Sequence, residues 1–347
     1  NFEKFPYDPT DIAAVFVTHA HIDHTGQLPK LVKNGFRGTI YSTPPTKDFS
    51  ELLLLDSEHI LAQEAVREQR PAIYETVDVE AAIELWRGVP YHTPITVGPF
   101  KIRLMNAGHI LGSSVIEIKA EGKTILFSGD LGNYPAPIIM PTEQPTYADY
   151  CVLESAYGNR VHERREERQS LLEDVIEDAV RSKGTLMIPV FAMERTQDLL
   201  FHMNELVESG RIPSVPVFID SPLAIKLTHV YEKYRNYFDA ATAGRVRAGD
   251  NIFNFRGLRF TLTTEQSKEI NSVPPPKIVI AGSGMSTAGR ILHHEQRYLP
   301  DPHSTILFIG YQTYGTLGRQ IMEGATSVNI FGKSITVRAK VRTITGY

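Results

Sequence analysis

The chain has 347 residues, 42% of them hydrophobic and 22% charged, with a net charge of −4 at neutral pH. That balance suits a globular protein with a sizeable core in one large domain or two. The single cysteine, Cys151, excludes an internal disulfide and fits a reducing, cytoplasmic setting. No run approaches the ~20 apolar residues of a membrane span, so no membrane partner is expected, and no signal peptide is visible. The acidic total supplies none of the basic field that marks many nucleic-acid-binding domains.

Residues 1–10 read as an irregular lead-in. The apolar, β-branched run Ala14–Thr18 predicts a buried strand, and it leads directly into His19-Ala20-His21-Ile22-Asp23-His24. In extended chain, residues two apart share a side, so His19 and His21 can present imidazoles to one point. Asp23 and His24, where the chain turns towards a helical pattern, can face a second point beside it. Four ligand-type side chains in six positions at a strand end suit zinc, which takes nitrogen and oxygen donors. A merely polar loop has no reason to concentrate them there.

A helix is expected over 26–34, a strand over 38–42, and a long helix over 44–69. The apolar stripe of that long helix includes His59, which reads as a core histidine. A further helix is expected over 78–86 with Asp78 as its N-cap. Strands at 95–97, 100–105, 114–119 and 123–127 form an antiparallel block suited to one layer of a sandwich. Two of them end in metal-competent residues beside small ones: Asn106-Ala107-Gly108-His109 and Ser128-Gly129-Asp130. A proline-rich loop over 135–145 then precedes a strand that ends at Glu154. Cys151 lies in that strand and reads as a buried thiol. Tyr157 and His162, close by in sequence, read as packing or surface residues.

Beyond the charge run at 162–168 the grammar changes. Helices over 167–183, 193–209, 223–237, 287–299 and 317–323 alternate with strands over 185–190, 215–219, 277–280 and 305–309. This predicts an α/β domain with a parallel sheet and helices on both faces, inserted into the first domain. Gly282-Ser283-Gly284-Met285 lies between a strand and a helix, where backbone amides can cradle a phosphate. It fails as a dinucleotide fingerprint, because the third glycine would fall at Thr287. Arg290 can add charge there, although a solvent-facing arginine is the ordinary reading. His293 and His294 point to different helix faces, and Ser221 has no evident histidine partner.

The pattern His19-x-His21-x-Asp23-His24, then His109, then Asp130 resembles the metallo-β-lactamase superfamily. Val152-Leu153-Glu154-Ser155-Ala156-Tyr157-Gly158-Asn159-Arg160 is similar to the acidic motif that opens a β-CASP domain. Ala281–Met285 and Phe308–Leu317 resemble later segments of that domain, and together they cover nearly the whole chain. The family is the β-CASP ribonucleases, including RNase J and the cleavage-factor endonucleases. The resemblance implies a metallo-β-lactamase αββα sandwich over 1–162, with a β-CASP α/β domain over 163–347. It implies two Zn²⁺ per complete site. His19, His21, His109 and Asp130 hold one, and Asp23, His24 and the shared Asp130 the other.

In that scheme Asp23, Asp130 and Glu154 are catalytic, Glu154 assisting the leaving group or the metal shell. Ser283, Gly284 and Met285 bind substrate, an RNA. Family members begin with further strands and carry two later histidines, one completing the second metal site and one partnering Glu154. The resemblance therefore marks this sequence as an internal fragment lacking both ends. The activity it implies is two-metal hydrolysis of RNA phosphodiesters. The alternatives are a catalytically silent RNA-binding homologue, or a related metallo-hydrolase acting on DNA or a small ester. The intact ligand set speaks against silence, and the inserted domain argues for a polymer. A homodimer is left open.

Overall fold

The computed structural model describes residues 2–133, 135–156, 158 and 167–344. They divide into two compact units, Asn1–Gly158 with Val230–Ala243, and Asn159–His229 with Gly244–Tyr347.

The first unit opens with strand β1 (Ala14–Phe16), the short helix α1 (Ile22–Thr25) and α2 (Leu28–Lys33). Strand β2 (Thr39–Ser42), helices α3 (Pro44–Arg67) and α4 (Thr76–Glu84), and β3 (Trp86–Gly88) follow. β1, β2 and β3 form a parallel three-stranded sheet. β4 (Ile95–Val97), β5 (Phe100–Asn106), β6 (Ser114–Ala120), β7 (Lys123–Phe127) and β8 (Tyr150–Val152) form the other sheet. It is antiparallel up to β7, and β8 joins β7 in parallel.

The two sheets meet through Phe16 and Tyr41 on one side and Ile95, Ile102, Leu104 and Ile116 on the other. A separate cluster built on Leu31, Phe36, Ile40, Leu54, Val79 and Trp86 holds the helices against the three-stranded sheet. Each such fully buried side chain contributes about 1.5–3 kcal/mol of hydrophobic stabilisation. Trp86 also satisfies its indole N–H, which donates to Ser42 Oγ at 2.8 Å. Residues 230–243 belong here through side chains: Tyr231 packs on Phe49 at 5.2 Å, and Tyr234 donates to Asp48 at 2.8 Å.

The second unit contains α5 (Arg168–Arg181), β9 (Thr185–Pro189), α6 (Arg195–Glu208), β10 (Val217–Ile219) and most of α7 (Pro222–Lys233). After α8 (Ala240–Arg247) come β11 (Leu258–Phe260), α9 (Thr264–Glu269), β12 (Lys277–Ala281), α10 (Ile291–Tyr298), β13 (Thr305–Phe308) and α11 (Leu317–Met322). A hairpin of β14 (Ser327–Ile330) and β15 (Lys333–Thr336) precedes β16 (Lys340–Thr343). Six strands form one parallel sheet in the order β11-β10-β12-β9-β13-β16. β9, β12 and β13 are buried along their whole length, as strands covered on both faces must be. The α/β class and the parallel sheet match the sequence expectation.

Four local readings are corrected. Helix α4 starts at Thr76 with Glu75 as N-cap; Asp78 is its third residue, and its carboxylate accepts the Glu75 amide at 2.9 Å, closing a capping box. His59 is exposed and lies 2.8 Å from Gln63 Nε2 instead of entering the core. Cys151 is exposed, because all three residues of β8 are. Helix α10 starts at Ile291, four residues later than expected. Ser283 Oγ there accepts the Thr287 and Ala288 amides, at 3.0 and 3.1 Å, in a turn that the helix cannot share.

Candidate metal centre

Three strand ends of the first unit converge. Beyond β1 the chain stays extended through Val17, whose amide donates to Tyr41 at 2.8 Å, and delivers His19 fully buried. His21 caps α1, and one turn later the His24 amide returns to the His21 carbonyl at 3.0 Å. Buried Thr25 locks this turn, its hydroxyl donating to the carbonyls of Ala20 and His21.

The turn after β5 is equally fixed. Ser113 Oγ accepts the amides of His109 and Ile110 at 3.0 and 3.2 Å, and Asn106 accepts that of Gly108 at 3.1 Å. After β7, Gly129 takes φ +56, and a Cβ there would stand 2.6 Å from Thr18. Only glycine turns the chain so closely past the first strand and presents Asp130.

His19, His21, His109 and Asp130 place one ligand atom each within 4.8 Å of the others. The Asp130 carboxylate divides its oxygens. Oδ2 lies 3.7 Å from His19 Nε2 and 3.8 Å from His109 Nε2, while Oδ1 lies 3.5 Å from His24 Nε2. His24 Nε2 is in turn 3.4 Å from Asp23 Oδ2. The rings of His19 and His24 approach to 4.0 Å, and those of His21 and His109 to 5.0 Å.

Burial, reinforced by the neighbouring imidazoles His21, His24 and His109, pushes His19 far below the ordinary imidazole range. Its ring is therefore neutral, with Thr18 Oγ1 3.1 Å from Nδ1. His19 Nε2, buried and turned towards Asp130, has no hydrogen-bond partner among the described residues. A buried nitrogen left without a partner is costly, and a cation satisfies it. The donor set of imidazoles around a carboxylate fits zinc or a similar borderline divalent ion.

Glu154 sits behind this centre. Its Oε1 accepts the Leu131 amide at 3.3 Å, its Oε2 the Ala156 amide at 2.8 Å, and its own amide donates to Ser128 Oγ at 3.0 Å. Tyr157 and His162 lie outside the described residues.

Ser283, Gly284 and Met285 belong to the second unit, in the turn after β12. Much of the turn is internally paired: the Ser283 amide donates to Ala288, and that of Ser286 to Ser283. Among the described residues, none accepts the amides of Gly284 or Met285. The sequence reading missed the neighbouring ion-pair hub. Buried Asp220 binds His294 at 2.7 Å and Arg290 at 2.8 Å, and accepts from Thr261 and Ser267. Burial opposes its ionisation, but these partners outweigh that and hold Asp220 well below the usual carboxylate range. More than 70 residues separate Asp220 from His294, so spacing could not have paired them.

Converging histidines and an aspartate at the strand ends of a two-sheet sandwich, with a second parallel-sheet unit, define a hydrolase of the metal-dependent αββα class. The metallo-beta-lactamase superfamily model matches residues 3–150, and the Beta-Casp domain model residues 196–321. The chain is 35% identical over 347 residues to Ribonuclease TTHA0252 of Thermus thermophilus, covering all of this chain and 78% of that protein. It is 30% identical to the Transcription termination factor FttA of Methanocaldococcus jannaschii, over 100% of this chain and 56% of that one. It is also 30% identical to Endoribonuclease ysh1 of Schizosaccharomyces pombe, over 98% of this chain and 44% of that one. The chain thus spans about half the length of the last two relatives. It belongs to the metallo-β-lactamase superfamily, in the branch that carries a β-CASP domain. No helix among the described residues is long and apolar enough to cross a membrane.

Proposed function

We propose that this chain carries the catalytic centre of a zinc-dependent ribonuclease that hydrolyses RNA phosphodiester bonds. The observation that carries this reading is the division of Asp130, one oxygen towards His19 and His109 and the other towards His24. A carboxylate so placed suits two ions. His19, His21, His109 and Asp130 would hold the first, and Asp23, His24 and Asp130 the second. Paired zinc ions supply a hydroxide at neutral pH and neutralise the charge that develops on a phosphodiester. Neutral His19 offers its lone pair without having to lose a proton. Ser113, Asn106 and Thr25 hold the imidazole-bearing turns in place, and preorganisation of this kind fixes the reacting geometry. Glu154 holds the backbone beside Asp130.

Two of the relatives are named as ribonucleases, which supports RNA over DNA or a small ester. In the second unit, the Met285 amide, half-buried and without an acceptor among the described residues, would be a donor for backbone phosphate. Elemental analysis combined with cleavage of an end-labelled single-stranded RNA tests the proposal. Stoichiometric zinc with chelator-sensitive cleavage is the expected result. Zinc with hydrolysis of DNA or esters but not RNA would reassign the substrate, and RNA binding without cleavage would make the chain a silent homologue.

A further inference from the structure

We propose that Phe191, Tyr311 and Tyr314 form a stacking platform for unpaired bases of single-stranded RNA, beside the Ser283–Met285 turn. The proposal rests on the ribonuclease reading and specifies the form of RNA that the second unit takes.

The three aromatics leave the carboxyl ends of β9 and β13. These strands are successive neighbours of β12 in the sheet order β12-β9-β13, and β12 leads into the Ser283 turn. The carboxyl edge of a parallel sheet is where such folds present ligands. Phe191 is 42% exposed, Tyr311 63% and Tyr314 86%. Among the described residues of these loops, every exposed large apolar side chain is aromatic.

The loops are joined from beneath by buried Gln312, whose side-chain amide donates to the carbonyls of Gly284 at 2.8 Å and Gly310 at 3.2 Å. The amide of Gly318 donates to Met285 at 3.1 Å. The Phe191 ring lies against both glycines. A Cβ on Gly284 would stand 2.8 Å from the ring, and one on Gly310 3.8 Å from it. Gly284 is thus required by the seating of Phe191. A substitution there would disturb the ring and the phosphate donors together, so it cannot test phosphate binding alone.

Exposed aromatic side chains beside the Met285 amide, which lacks an acceptor among the described residues, match the two halves of a nucleotide, base and phosphate. A protein-docking surface would mix aliphatic side chains into the patch, and none is exposed here. Base stacking on aromatics tolerates sequence, because every base has a π-face. It also requires unpaired bases, since those within a duplex are already stacked.

The test uses a fluorescein-labelled single-stranded RNA, an abasic strand of equal length, and an RNA carrying 2-aminopurine. Binding is read by anisotropy and stacking by quenching of the 2-aminopurine. Tyr311→Ala/Tyr314→Ala is expected to weaken binding of the RNA by roughly tenfold or more, given the usual strength of base–aromatic stacking. Quenching should fall with it, while binding of the abasic strand and metal content stay at wild-type values. Tyr311→Phe/Tyr314→Phe should restore RNA binding. Equal losses on both strands, or no loss on either, would overturn the platform and leave the ribonuclease reading standing. Wild-type protein that neither binds nor cleaves RNA would overturn that reading itself, and the platform with it.

Discussion

Glu154 holds the residue that follows Asp130: its Oε1 accepts the Leu131 amide at 3.3 Å while Oε2 accepts that of Ala156 at 2.8 Å. Both oxygens are thus engaged by backbone, which is the geometry of a residue that positions the Asp130 loop. Glutamine keeps one acceptor and loses the other. Glu154→Gln should retain bound metal and lose about tenfold in RNA cleavage, the effect of about one hydrogen bond. Glu154→Ala should also lose metal. A fall of hundredfold or more in both variants, with metal content intact and one limb of the pH–rate profile abolished, would identify proton transfer instead.

Metal removal offers a second test. The unpartnered nitrogen of His19 and its crowded imidazole neighbours make the metal-free centre a local weak point. Ion binding to the native state adds about 4 kcal/mol when free ion exceeds Kd a thousandfold. For a unit of this size that corresponds to a rise in Tm on the order of 10 °C. Dialysis against chelator should lower Tm by that much and abolish cleavage, and Zn²⁺ should restore both. An unchanged Tm would mean that no ion is held there.

The candidate cluster was legible because metal chemistry tolerates few residue types, and His19, His21, Asp23 and His24 are packed into one strand end. His109 and Asp130 were legible because each follows an apolar run and adjoins glycine. The parallel sheet was legible from long apolar strands separated by helices. β3, β11 and β16 were not, being three or four residues long with pairing partners distant in sequence, and neither was the β14–β15 hairpin, whose strands are only four residues each. Cys151 misled because apolar residues in a strand imply burial only when something covers them, and β8 is exposed throughout. The Glu154–Leu131 and Asp220–His294 contacts join residues whose spacing carries no period, so only the folded chain reveals them.

A pH test concerns Glu295 in α10. It is fully buried, its Oε1 accepts the Ser286 hydroxyl, and its Oε2 has no partner among the described residues. Burial pushes its carboxyl up to about 8. The fold therefore favours the protonated form. That contribution is complete below the unfolded value near 4.5 and is lost as pH rises through about 8. Wild-type Tm should fall across this window. Glu295→Gln, which cannot ionise, should flatten the fall and be the more stable protein at pH 8.5. Parallel Tm profiles for the two proteins would show that the Glu295 carboxyl titrates no higher in the fold than in the unfolded chain.

The decisive substitution is Asp130→Asn. It keeps the side-chain shape but replaces one of two oxygens that face different histidines, and it removes the negative charge placed among four imidazoles. No backbone amide among the described residues donates to the Asp130 carboxylate, so local folding does not depend on it. The metal-free variant should match the metal-free wild type in Tm to within about 2 °C, since asparagine keeps the side-chain volume and no backbone hydrogen bond is lost. With one oxygen lost, the variant should bind at least one equivalent less zinc. RNA cleavage should fall by roughly a hundredfold or more, the scale seen when one preorganised electrostatic contact is removed. Wild-type zinc content and turnover in a well-folded Asp130→Asn protein would show that the carboxylate is not shared between two ions.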